Sequence, residues 1–154
     1  MNWNQYKKEF EWDGSYRDLY ILDTDLSHWQ RVINFLRGSE YRITFKVDNE
    51  VAALPEDVAE IFRKRNETSI LLTIEVDGIS INCHFFTEDE IEFDIDPREI
   101  KNEEKLNQLF EFMKKTGGLL EKEVRMTPEN YQEGIIFKYV AETNRIEYIP
   151  VLCS

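Results

Sequence analysis

The chain has 154 residues, and its 31 Asp and Glu against 19 Lys and Arg leave a formal net charge of −12 at pH 7. That length suits one domain that buries roughly 70% of its unfolded surface, and ten Phe, seven Tyr and three Trp supply its core. The charge argues against nucleic acid, whose phosphates are met with Lys and Arg, and no run approaches the roughly 20 apolar residues of a membrane span.

In chain order, residues 10–12, the turn pair Asp13-Gly14 and residues 19–22 predict an opening hairpin. Thr24 or Asp25 then caps a helix to about residue 37, with Leu26, Trp29, Val32, Ile33 and Leu36 on one stripe and Gly38 as its stop. Residues 41–47 alternate apolar and polar, the mark of a strand with one buried face. Pro55 opens a shorter helix to about residue 64, burying Val58, Ile61 and Phe62.

Two further alternating sets, Ile70 to Val76 and Ile79 to Phe85, flank Asp77-Gly78, and Asp-Gly between such runs signals a two-residue hairpin. Ile91, Phe93 and Ile95 form another set, stopped by Pro97. Asn102 caps a helix over 103–115, which Gly117-Gly118 should end. Residues 123–126, 135–141 and 145–149 read as closing strands, the last two joined around Thr143-Asn144. No linker or repeat interrupts this order, so residues 1–154 are expected to form a single globular domain. Its class is α+β: an antiparallel sheet with one face covered by two main helices and one short helix, a two-layer sandwich.

Charge is concentrated between Glu88 and Glu104, where nine acids stand against Arg98 and Lys101. The strand period sends Glu90, Glu92, Asp94 and Asp96 to one face as a carboxylate row, with roughly 7 Å between successive members. Like charges in a row repel, so something must offset them. Either Arg42 and Lys46 of a neighbouring strand do so, or the row, with Glu88 and Asp89 before it, is a docking strip for a basic partner. The dense N-terminal aromatics divide the same way. Phe10 and Trp12 pack as core, or Trp12 and Tyr16 flank the acidic strip as interface anchors.

Other chemistries fit less well. Asp94-x-Asp96 begins like a calcium loop, but Pro97 and Arg98 follow where another oxygen ligand and a glycine belong. Glu99-x-Lys101 has a form seen in metal-dependent nucleases, yet it sits at a helix approach and not on a strand. A glycosidase carboxylate pair needs one raised pKa, and an exposed strand offers nothing to raise one acid above the next. Cys83 and His84 point to opposite faces of their strand, and with Cys153 and His28 they make no zinc site. Phosphate-binding glycine loops and a Gly-x-Ser-x-Gly elbow are absent. No catalytic residue, metal or cofactor is therefore expected.

Three stretches carry a family resemblance: residues 10–18 (FEWDGSYRD), 85–99 (FFTEDEIEFDIDPRE) and 112–130, from Phe112-Met113-Lys114-Lys115 to Met126-Thr127-Pro128-Glu129-Asn130. In these the chain resembles the small acidic immunity proteins of bacterial polymorphic-toxin systems. The resemblance implies a non-catalytic protein that binds and blocks a cognate toxin, often a nuclease whose basic cleft suits a carboxylate row. With no apolar secretory core in its first twelve residues, the chain is expected in the cytoplasm. A carboxylate-based metal enzyme using Asp94, Asp96 and Glu99, or a structural adaptor subunit, are the alternatives.

Overall fold

In the computed structural model, which describes residues 3–149, the alternating segments join into one antiparallel sheet. The chain runs α1 (Trp3–Tyr6), a 3-10 turn (Lys7–Phe10), β1 (Arg17–Leu22), α2 (Leu26–Gly38), β2 (Arg42–Val47), β3 (Glu50–Val51) and α3 (Val58–Arg65). It continues through β4 (Ile70–Val76), β5 (Ile79–Thr87), β6 (Glu90–Ile95), a 3-10 turn (Pro97–Glu99), α4 (Glu103–Leu120), β7 (Val124–Pro128), β8 (Phe137–Val140) and β9 (Arg145–Tyr148). The sheet order is β3-β2-β4-β5-β6-β1-β7-β8-β9. Every pairing is antiparallel.

The period-two pattern sets the layers. Leu19, Ile21, Leu72, Ile74, Ile81, Cys83, Ile91, Phe93, Ile95 and Met126 are all fully buried on the apolar face. Trp29 of α2 stacks on Phe85 at 4.9 Å, and Phe62 of α3 meets Trp29 edge-on at 5.2 Å. From α4, Phe112 meets Phe93 at 5.2 Å and Phe110 meets Phe137 at 5.0 Å. The fold is thus an α+β two-layer sandwich, with its core between sheet and helices and the opposite sheet face left polar. No helix among the described residues is long and apolar enough to cross a membrane.

Local signals act largely as read. Asp25 caps α2 by accepting from the N–H groups of Ser27 and His28, and its own N–H donates to His28 Nδ1. Asp77 and Gly78 both take positive φ, at 48° and 85°, as the β4–β5 hairpin requires. Cys83 is buried; Cys153 lies outside the described residues.

Three expectations are corrected. No opening hairpin forms: β1 lies between β6 and β7, and the segment before it is a loop wrapped around the Arg17 guanidinium. That guanidinium donates to the carbonyls of Glu9, Glu11, Ser15 and Tyr16 at 3.0–3.2 Å, which leaves those groups no ladder to join. The short helix starts at Val58, where Asp57 caps it, because the carbonyls of Leu54 and Pro55 are taken by Arg37 from α2. Finally, α4 continues through Gly117-Gly118 and stops only at Glu121, which is left-handed at φ 54°. Gly117 is required for close approach: a Cβ there would come within 3.0 Å of the Tyr139 ring and of Val124.

Candidate functional site on the polar face of the central strands

Register assembles the polar face. Asn82, Asp94, Asp18 and Thr127 stand opposite one another across β5, β6, β1 and β7, and His84, Glu92, Tyr20 and Arg125 form the next row. Thr73 donates to the Asn82 carbonyl oxygen at 3.1 Å, and the Asn82 amide donates to Asp94 Oδ1 at 2.9 Å. The other oxygen, Asp94 Oδ2, lies 2.6 Å from His84 Nε2. On β1, Tyr20 donates its hydroxyl to Asp18 Oδ2 at 2.8 Å.

The β7–β8 loop closes over one end of this face. The Asn130 N–H reaches Asp18 Oδ2 at 2.7 Å, and the Gln132 amide reaches Glu90 Oε2 at 2.7 Å. Arg125 holds the loop from below through the Gln132 carbonyl at 3.1 Å and braces against Glu123 at 2.7 Å. Asp18 and Tyr20 are consequently only 3% and 2% exposed, although they lie on the polar side.

Burial and crowding set the charge states. Glu92 is half-buried, with no hydrogen bond or ion pair among the described residues, and is pushed up to about 7 by loss of hydration and then by the neighbouring Asp18. Asp18 is also raised by burial, against the bonds from Asn130 and Tyr20. For His84, burial alone would favour the neutral ring. The bond and charge of Asp94, with Glu92 and Asp18, outweigh it and raise the pKa.

The residues singled out in sequence fall into three groups. Glu90, Glu92, Asp94 and Asp96 do share one face, each half-buried. Glu88 and Asp89 are exposed in the β5–β6 turn, where their carbonyls receive the Thr24 hydroxyl at 2.8 Å and the Thr24 N–H at 3.0 Å. Trp12 and Tyr16 pack edge-to-face at 6.5 Å at the opposite end of the row. There the Arg98 guanidinium lies 3.7 Å above the Trp12 ring while it grips both oxygens of Asp96. Phe10 is core and Trp12, at 45% exposed, is not.

Two sequence expectations fail here. Arg42 and Lys46 do not offset the row, because β2 lies three places from β6 in the sheet, about 14 Å across it. His84, Asn82, Gln132 and Arg98 offset it instead. The exposed-strand assumption also fails, since Glu92, between His84 of β5 and Tyr20 of β1, is buried enough to be set apart from its neighbours. For the metal alternative, Asp94 is held by His84, Asp96 by Arg98 and Glu99 by the Ser80 N–H at 3.0 Å. Among the described residues no three His, Cys, Asp or Glu side chains gather as a metal cluster.

Asp18, Tyr20, Asn130 and Gln132 belong to the face but went unread in sequence. The alternation of Asp18 and Tyr20 with Leu19 and Ile21 was the available signal, and Leu22 on the polar side obscured it. Comparison with protein-family models, curated proteins and solved structures gives no match.

Proposed function

We propose that this is a non-catalytic binding protein that engages a basic protein partner through the acidic face of β6. Glu88 and Asp89 lie at one end of that face and Trp12 and Tyr16 at the other. Following the immunity-protein resemblance, the partner is a cognate bacterial toxin, neutralised in the cytoplasm, with a nuclease as the most specific form of the reading. One observation carries it. Glu90, Glu92 and Asp94 stand on a central strand with no Arg or Lys ion pair among the described residues, and burial, with Asp18 beside it, pushes Glu92 up to about 7.

A cationic partner supplies what the face lacks. Charge complementarity of this kind raises the association rate and penalises wrong partners. The sheet holds the acids at fixed spacing, so little side-chain ordering is needed on binding. The test is co-expression with the adjacent reading frame. The account expects that frame to be toxic alone, harmless with the wild-type chain, and toxic again with E90Q/E92Q/D94N. A frame harmless by itself removes the toxin reading.

A further inference from the structure

A groove of about 410 Å³ lies between the end of α3, the start of β4 and the end of β5. Its polar lining is Arg65, Asn66, Thr68, Ser69 and His84, beside the ring of Phe86. In a chain of 31 acids this groove has no carboxylate in its lining. Three other surface grooves each include at least one, from Glu9, Glu11 and Asp13, from Glu56 and Asp57, or from Glu88. Of the acids nearby, Asp48 accepts the Ser69 N–H at 2.9 Å and Asp94 holds His84 Nε2, while Glu67, between Asn66 and Thr68, is exposed and outside the lining.

The Thr68 hydroxyl donates to the Lys64 carbonyl at 2.6 Å, but other polar groups of the groove are free. Arg65 makes no ion pair, and the Ser69 hydroxyl and His84 Nδ1 have no hydrogen-bond partner, among the described residues. Of the three bases in the last turn of α3, Arg65 alone lines the groove; Lys64 pairs with Glu60 at 3.8 Å and Arg63 lines the groove that holds Glu88. Phe86 lies parallel to His84, with centroids 5.0 Å apart and planes 1° from parallel, yet it is 51% exposed. One face of its ring is therefore backed by a second ring, and the other is open.

We infer that this groove binds an anionic ligand carrying a planar ring, of the nucleoside monophosphate class. Arg65 meets the phosphate with a planar fork of donors, assisted by the Ser69 hydroxyl. The base stacks on the open face of Phe86, a contact that any base can make. The volume lies within the usual range for small-ligand clefts, roughly 300–1,000 Å³. The groove shares only His84 with the acidic face, and its titration is read separately from the co-expression that tests that face.

The experiment is calorimetric titration of the whole chain with adenosine monophosphate, adenosine and inorganic phosphate. Adenosine monophosphate should bind at one site per chain, and either half alone roughly tenfold or more weakly. Arg65→Gln should weaken the nucleotide roughly tenfold and leave adenosine unchanged, whereas Phe86→Ala should weaken both. Both side chains are exposed, and circular dichroism checks that the variants fold. No binding of the nucleotide at millimolar concentration, affinity no better than that of inorganic phosphate, or indifference to Arg65→Gln would each overturn the inference.

Discussion

His84 Nε2 sits 2.6 Å from Asp94 Oδ2 on the strand beside it, and this contact sets the charge of the histidine against the pull of burial. A ring so placed is stabilised as the cation. Because its folded pKa is raised, His84 adds stability that is fully present below the ordinary value of 6.5 and is lost as pH rises through the folded pKa. In Asp94→Asn only Glu92 and Asp18 are left to oppose burial, so the His84 pKa should fall. NMR titration of the ring protons measures this directly, and an unchanged pKa would show that Asp94 does not govern it.

Glu92 carries the opposite cost. Its folded pKa of about 7 exceeds the ordinary 4.5, so the native state holds the proton more tightly and stability declines as pH rises from about 4.5 through 7. Glu92→Gln should remove that decline. After allowance for partial solvation, the variant should gain about 1 kcal/mol at pH 8 and almost nothing at pH 4. Urea denaturation at the two pH values checks the sign, and equal effects at both would contradict it.

The layers and most strands were legible because period-two alternation depends only on which face is buried, as Ile79, Ile81, Cys83 and Phe85 show. Position in the sheet was not. β1 enters between β6 and β7 through pairings 74 and 107 residues away in sequence, Leu19 with Phe93 and with Met126. The acid row was visible as a pattern, but the difference among its members was not. Glu92 is distinguished by burial and by Asp18, which is no neighbour of it in the chain. Gly117-Gly118 misled for a related reason. A glycine needed for close approach looks, in sequence, the same as one that ends a helix.

Those two glycines make a paired test. Gly117→Ala sets a Cβ against the Tyr139 ring and Val124, both buried, and should destabilise by about 1–3 kcal/mol despite alanine's better helix propensity. At Gly118 the nearest atom to a Cβ would be the Tyr139 hydroxyl at 3.4 Å, an ordinary contact. Gly118→Ala should therefore stabilise, by about 0.5–1 kcal/mol. Thermal melts of both variants are enough, and shifts of the same sign would refute the packing argument.

Arg17 is 5% exposed, and its guanidinium serves four backbone carbonyls and Asp13 at once. Lysine keeps the charge but has neither the fork nor the number of donors. Arg17→Lys should cost about 2–4 kcal/mol and loosen residues 9–16, the segment that carries Trp12. Hydrogen exchange at these amides, faster in the variant than elsewhere in the chain, is the expected signature.

The most direct measurement compares two triple variants of identical formal charge, E90Q/E92Q/D94N and E104Q/E121Q/E142Q, by NMR titration with a nonapeptide of arginine. Wild type and the second variant should bind it alike, with amide shifts centred on β6 and rising affinity as pH passes through 7 and Glu92 gives up its proton. The first variant should lose those shifts. Equal losses in both variants, or shifts scattered over the surface, would mean that the peptide reads only total charge and that β6 is no docking face.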